Sequence, residues 1–581
     1  MASVIVTVFN ISALKAYPVV TANNTTAIVQ GYETAGDGGG GTFIFKTLSS
    51  MSPSLPPTPD DGIFFGSSTN PLGIWIRQFD GDVSVRFYNA SGNGQNDTIK
   101  IQAAIEYVAA SVEDVNNRKF GFNITNTVFI PNGSYMINQL ILKKGVKLIG
   151  ASRQNVTLFS NPYNAVNSAM IVMAQGIVRD LHVANITFLG AAERVITENG
   201  SSYEVYKRYQ SCFYLQGIPD PISGAGGLWE SSFKNIYIGK FSGHSMIFEG
   251  GGHSGTTNYL LPNQFITFEG VHIDSVGQLQ KIYPNFVNQY QALAIVGLNA
   301  QFAFFNCRFD GGEFLFQNDL PRYELTGRNI YIGSRIANEL GTPAVINFHT
   351  CTIQGGDNGF FIESSTNINI YGCWFENLQR AIVVRGTYKT SASINIQNNI
   401  FGRSAGRFKN TGTGRNISID KSQVNVQNNY VADNYSSNHP QYPLVTPQFI
   451  GIENQANNIG INAFGNYFEN HELAFTSGLV KLITLIATSN ETVDILNCKT
   501  INIDNGTGTT KNINKILSNS AAGEYIYFKV TLGQIKFVNS GNLFLNGLDN
   551  LILGLNDSAL FIKVDGPSTT TEIYNLISYQ I

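Results

Sequence analysis

Short steps from polar to apolar recur along the middle of the chain: NITF, NIYI, GVHI, NCRF, TCTI, GCWF, NNIF, NNYV and GNYF. Each opens on a polar or small turn residue and closes on a large apolar one. The closing positions are Phe188, Ile238, Ile273, Phe309, Ile353, Phe375, Phe401, Val431 and Phe468. Gaps between them run from 22 residues (Ile353 to Phe375) to 50 (Phe188 to Ile238). That combination predicts a repeat of structure more than of sequence, with loops of unequal length between equivalent strands. A chain that returns to one position in every coil is a parallel β-solenoid. Its coils stack about 4.8 Å apart, which makes neighbours of residues distant in sequence.

The pattern differs at the two ends. Residues 1–80 hold GYETAGDGGGGTFIF, a Pro/Ser stretch and GIWIRQFDG. The Gly run marks a sharp turn before a strand; no Lys-Ser/Thr follows it, so it is not a phosphate loop. Near residues 98–112, Ile101, Ala104, Ile105 and Val108 recur at helical spacing, with Asn96 or Asp97 placed to cap. A solenoid needs its open first coil covered, and this helix is the candidate cover. TVFIPNGSYMI and LILKKGVKLIGAS then read as strand pairs. From 478 to 581, short alternating strands with Asn-Gly, Ser-Gly and Asp-Gly turns predict an antiparallel β-sandwich. The expected domains are therefore 1–80, a β-helix over 81–477, and 478–581.

Composition narrows the class. Only 13% of residues are charged, Gly numbers 58 and aromatics reach 12% of the 581 residues, which suits a stacked β-rich protein. A net charge of −3 argues against nucleic acid as the main partner. No basic leader and no long apolar run stand out, so neither a signal peptide nor membrane insertion is expected. The cysteines, Cys212, Cys307, Cys351, Cys373 and Cys498, fit no zinc spacing, and the histidines are scattered; no metal or other cofactor is expected. Cys307, Cys351 and Cys373 share one register position just ahead of the apolar anchor, so they should stack as buried thiols. Asn399, Asn429 and Asn466 continue that column, where an Asn ladder would bond coil to coil. The Asn pairs of NNIF and NNYV suit a left-handed corner.

GDGGGGTFIF…GIWIR followed by VSVRFYNASGNGQNDTIKIQAAI resembles the opening segment of phage tailspikes with a pectate-lyase-like right-handed parallel β-helix. VFIPNGSYMI and GVKLIGAS look like that family's next strands. GQIKFVNSGNLFLNG…LILGLNDSALFIKVDG…TEIYNLIS is similar to the small C-terminal sandwich modules of such spikes. The family's acidic pair after the Gly-x-Gly turn is reduced here to Asn96-Asp97. The resemblance implies an all-β, right-handed β-helix and a virion-tail location. It also implies a homotrimer and docking of residues 1–80 to virion tail or baseplate proteins. Residues 478–581 would serve trimerisation or carbohydrate binding. The partner it implies is a bacterial surface polysaccharide: capsule, O-antigen or exopolysaccharide. Members include hydrolases, lyases and spikes that only bind.

Strand side chains alternate, so if each anchor points inward its two neighbours point outward. Just after the anchors stand Leu189, Gly239, Asp274, Asp310, Gln354, Glu376, Gly402, Ala432 and Glu469. Asp274 and Asp310 fall on consecutive predicted coils, and two close carboxylates cannot both ionise freely. A raised acid beside an ionised partner is what glycosidic cleavage needs, so these two are the favoured catalytic pair. Glu313 and Glu363 are alternates, and Glu376 reads as a turn residue. Just before the anchors stand Thr187, Tyr237, His272, Arg308, Thr352, Trp374, Ile400, Tyr430 and Tyr467. Tyr237, His272, Arg308, Trp374 and Tyr430 are the candidate sugar contacts, since sugar rings stack on aromatic faces with polar groups at the rim. A second outward file ends the strands MIFE, AIVG, FLFQ, FFIE and IVVR at Glu249, Gly297, Gln317, Glu363 and Arg385. Long insertions at 190–232, 275–300 and 317–344 carry candidate specificity. A hydrolase using the Asp pair, a lyase using His272 or Arg308 as base, and a non-catalytic glycan-binding spike all fit these residues.

Overall fold

The computed structural model of the protein describes residues 4–19, 25–51, 58–113, 125–161, 169–190, 193–198, 201–205, 211–241, 244–251, 260–274, 291–310, 328–334, 341–355, 358–376, 378, 380–387, 391–402, 414–432, 449–454, 460–464, 466–469, 473–476, 480–484, 491–494, 500–504, 510–517, 525–532, 534–538, 543–545, 550–553, 557–565 and 572–580. The chain divides into two compact units, Met1–Gly250 with Thr257–Leu279, and Gly251–Thr256 with Gln280–Ile581.

The first unit opens with a five-stranded sheet in the order Val4–Val8, Thr25–Val29, Gly41–Thr47, Gly73–Gln78, Phe64–Gly66. Phe43, Phe45, Phe65 and Trp75 form its core with Ile11 and Leu14 of a short helix. The Gly-rich run is a turn closed on one carboxylate. Asp37 accepts backbone N–H groups from Tyr32, Glu33, Thr34 and Gly39 at 2.8–3.0 Å. Beneath it, Arg77 is buried and donates to the carbonyls of Gly39, Gly40 and Gly62. Burial brings its pKa down to about 10.

The expected helix spans Thr98–Glu113, and Ile101, Ala104, Ile105 and Val108 are all fully buried. Asn96 does the capping: its Oδ1 accepts from Thr98 N at 3.1 Å. The buried Asp97 side chain turns back instead, to the N–H groups of Ser91 and Gly92. Gln102 on this helix both donates to Ile141 O and accepts from Ile141 N. Leu140–Leu142 is the terminal strand of its sheet, so the helix closes that free edge as well as covering the core. No helix among the described residues is long and apolar enough to cross a membrane.

Beyond the helix each unit is a coil of three parallel sheets, whose strands are met in turn as a first, second and third face. In the first unit the first face runs Leu140–Leu142, Ala169–Met173, Ser211–Gln216, Met246–Gly250. Its second face ends with Gly227–Lys234 and Asn263–Glu269, and its third with Thr187–Leu189, Tyr237–Gly239 and His272–Asp274. In the second unit the first face includes Gln291–Gly297, Arg328–Gly333, Asn358–Glu363 and Arg380–Arg385. The second includes Asn299–Phe305, Ala344–His349 and Thr366–Tyr371. The third runs Arg308–Asp310, Thr352–Gln354, Trp374–Glu376, Ile400–Gly402, Tyr430–Ala432 and Tyr467–Glu469.

The predicted anchors are the register of these third faces. Phe188 pairs with Ile238 and Ile238 with Ile273 in the first unit. Phe309, Ile353, Phe375, Phe401, Val431 and Phe468 pair in succession in the second. From Phe188 to Val431 every anchor is at most 2% exposed. The first residue of each step makes the corner between second and third faces in left-handed geometry. Asn185, Asn235, Gly270, Asn306, Thr350, Gly372, Asn398 and Asn428 have φ between 49° and 63°. Asn and Gly tolerate that conformation; Thr350 is the β-branched exception.

One strand is corrected. FLFQ, ending at Gln317, was expected on the first face, but that segment lies outside the described residues. The strand between Gln291–Gly297 and Asn358–Glu363 is Arg328–Gly333. Ile330 and Ile332 are the side chains buried in register with Phe360 and Ile362.

The inner corner column holds the expected stack. Cys307, Cys351 and Cys373 are buried thiols, none of them in a disulfide. Hydrogen bonds with Cys307 and Cys373, and then burial, push the Cys351 thiol well above its ordinary range. Asn399 Nδ2 donates to Asn429 Oδ1, and Asn429 Nδ2 to Asn466 Oδ1, both at 2.9 Å. The same amides donate to the carbonyls of Ile370 and Ile396 one coil back.

The C-terminal part of the second unit forms two sheets. One runs Val480–Thr484, Thr500–Asp504, Tyr525–Leu532, Ser558–Asp565, Glu572–Gln580, Leu543–Phe544; the other Glu491–Asp494, Thr510–Leu517, Gln534–Val538, Asn550–Leu553. Phe537 of the second packs on Phe528 and Phe561 of the first, as a sandwich requires. Antiparallel pairing holds among the closing strands except where Leu543–Phe544 runs parallel to Glu572–Gln580. The opening strands pair parallel, because the chain alternates between sheets instead of turning back in hairpins.

Candidate functional site

The outer wall of the third face carries the candidate residues, each set by its offset from a buried anchor. In the first unit, Tyr237 and His272 are register partners, and so are Gly239 and Asp274. Tyr237 Oη donates to Asp274 Oδ2 at 2.8 Å, and the two rings of Tyr237 and His272 meet edge to face at 5.1 Å. Gly239 makes this possible: a Cβ there would stand 2.8 Å from Tyr237 Cε1. Tyrosine, histidine and carboxylate thus form one half-buried cluster.

In the second unit, Arg308 Nε lies 2.7 Å from Asp310 Oδ2 along the same strand. The carboxylate is nearly buried, with 9% of its side chain exposed against 48% for the arginine. Two coils on in register, past Thr352, stands Trp374, 42% exposed. Its Nε1 donates to Glu376 Oε2 at 3.3 Å. Ile400 and Tyr430, exposed by 40% and 42%, follow on the next coils. The result is a solvent-facing strip with an ion pair at one end and an apolar file along it.

The other expected residues fall elsewhere. Asp274 belongs to the first unit and Asp310 to the second. Glu313 lies outside the described residues. Glu363 sits on the first face, not the third, where it accepts from Tyr331 Oη at 3.1 Å and from Thr387. Arg385 is its register neighbour, with its guanidinium 5.3 Å from the Phe361 ring. Glu249 makes a similar first-face cluster in the other unit, accepting from Tyr214 and Gln216. Glu376, expected as a turn residue, instead ends the strand Trp374–Glu376 and pairs with Gln354; sequence reasoning passed over Gly239 and Gly402. The signal was present: a glycine in the outward column beside a tyrosine or tryptophan leaves a seat for the ring.

Parallel sheets wound into coils, with a helix over the first edge and a solvent-facing third-face strip, define a parallel β-helix protein. Solved phage tailspikes share that fold. The enzymatically active domain of tailspike protein 2 of bacteriophage CBA120 superposes with a TM-score of 0.51 at 14% identity, covering 83% of this chain and 63% of that one. Full-length tailspike protein 2 from Escherichia coli O157:H7 bacteriophage CAB120 does so with a TM-score of 0.51 at 12% identity, covering 100% and 72%. The chain therefore spans under two thirds of the former. No protein-family model and no curated protein matches the sequence. At these identities the likeness establishes the fold.

Proposed function

We propose that the protein is a tailspike that binds a bacterial surface polysaccharide and cleaves it within the chain. One observation carries the reading: on the rigid third face, a nearly buried carboxylate held by an arginine shares a strip with exposed Trp374 and Tyr430. Charge fixed on a scaffold, beside rings that stack on sugars, is what glycosidic cleavage uses. Asp274 and Asp310 are the carboxylates this reading favours for catalysis, with Glu313 and Glu363 as alternates. Tyr237, His272, Arg308, Trp374 and Tyr430 contact the polymer.

The tailspike likeness in fold supports the wider frame. Residues 1–80 attach the spike to virion tail proteins, 81–477 work on the polysaccharide, and 478–581 hold a homotrimer together or bind carbohydrate. The experiment is to incubate the protein with surface polysaccharides of candidate bacteria and weigh the products. Hydrolysis adds one water per cut. Products with a new ultraviolet-absorbing double bond would mean a lyase instead, and an intact polymer on a bound cell would mean a binding spike.

A further inference from the structure

Trp374 and Gly402 stand diagonally on adjacent coils: Trp374 pairs with Ile400, and Glu376 with Gly402. A Cβ on Gly402 would lie 3.4 Å from Cζ2 and 3.7 Å from Cη2 of Trp374. The indole therefore leans across to the next coil, over a position where a longer side chain would push it away. Its Nε1 is turned to the Glu376 carboxylate. Glu376 pairs in turn with Gln354, one coil nearer Asp310. Trp75 is fully buried and Trp229 keeps its Nε1 out of solvent, which makes Trp374 the tryptophan set out for contact.

We propose, resting on the glycan reading above, that Trp374, Glu376 and Gly402 form a subsite for one uncharged pyranose of the polymer. The indole takes the apolar face of the ring. The Glu376 carboxylate only accepts hydrogen bonds, so it selects hydroxyl or N-acetyl N–H donors at the ring's edge. It repels a uronic acid there. Gly402 is a positioning residue that leaves room for the indole. Two coils separate Trp374 from Arg308, about 10 Å. The selected sugar thus lies a short way along the polymer from the bond beside Asp310.

The test titrates the full-length protein with three probes: maltohexaose, chitohexaose and hexagalacturonate. Binding is read by calorimetry and by tryptophan emission. We expect at least one of the two neutral probes to bind and shift the emission, and hexagalacturonate not to. Trp374→Ala should weaken neutral binding roughly tenfold or more. Gly402→Ala should bind normally and Gly402→Leu poorly, both with unchanged circular dichroism; Glu376→Gln should admit hexagalacturonate. Failure of both neutral probes, equal binding of hexagalacturonate by the unaltered protein, or neutral binding by Trp374→Ala within about twofold of normal overturns the subsite. The two readings fail separately. A protein that shortens polymer equally well as Trp374→Ala loses the subsite and keeps the depolymerase. One that binds neutral probes through Trp374 yet shortens no polymer keeps the subsite and loses the depolymerase.

Discussion

Arg308 and Asp310 lie two residues apart on one strand, the guanidinium in solvent and the carboxylate tucked 2.7 Å behind it. The arrangement keeps a charge on the wall of the fold while hiding the atom that carries it. If that charge works on substrate, Asp310→Asn should lower polymer cleavage by roughly a hundredfold to ten-thousandfold. Melting should move little, because a pair with one exposed partner contributes about 1 kcal/mol or less. Product mass spectra and a thermal melt on the same preparation check both halves.

The amide column gives the sharpest stability prediction. Asn429 Oδ1 accepts from both N and Nδ2 of Asn399, and its own Nδ2 is used twice. Asn429 is 1% exposed. Asn429→Ala strands buried donors on Asn399 and should destabilise by about 2–4 kcal/mol. Urea unfolding followed by circular dichroism measures it.

Thr350 holds φ at 52°, where its neighbours in the corner column are Asn306 and Gly372. A β-branched residue is strained in that geometry by about 1–2 kcal/mol. The hydroxyl's bond to Asn306 Oδ1 at 2.6 Å returns part of this. Thr350→Asn should therefore raise stability by about 1 kcal/mol, and a melt that falls instead would refute the strain.

Asp37 supplies a pH dependence. Burial pushes its pKa up, but the N–H groups of Tyr32, Gly39, Thr34 and Glu33 outweigh that and hold it below the ordinary 3.8. A carboxylate with a depressed folded pKa stabilises at neutral pH and loses that contribution as pH falls through the folded value. Asp37→Asn should lower the melting temperature near neutrality. The gap to the unaltered protein should close as pH drops below about 3.8. A gap constant down to strong acid would show that the carboxylate's charge plays no part.

Much of this was legible because strand alternation and left-handed corners are local properties. Asn185 or Gly270 announces its corner by residue type alone, and Phe188 or Phe375 its inward direction by position. Arg328–Gly333 was not legible, since FLFQ is the more continuously apolar of the two segments, and only the packing of Ile330 and Ile332 in the coil marks the paired strand. Pairing at Val480–Thr484 was not legible either, because an alternating strand looks the same whether its partner runs with it or against it. Gly402 looked like a gap in a column, and only the indole of Trp374 gave it meaning.

Within the second unit the inner corner column passes from thiol at Cys307, Cys351 and Cys373 to amide at Asn399, Asn429 and Asn466. Anchors alone would let such a chain wind with one turn skipped, since any Phe or Ile fills the same slot. The change from thiol to amide sets one end of the file apart from the other: a carboxamide lap landing among the thiols would leave its Nδ2 without the Oδ1 it meets here. The column is thus a polarity mark on a winding whose apolar slots are all alike.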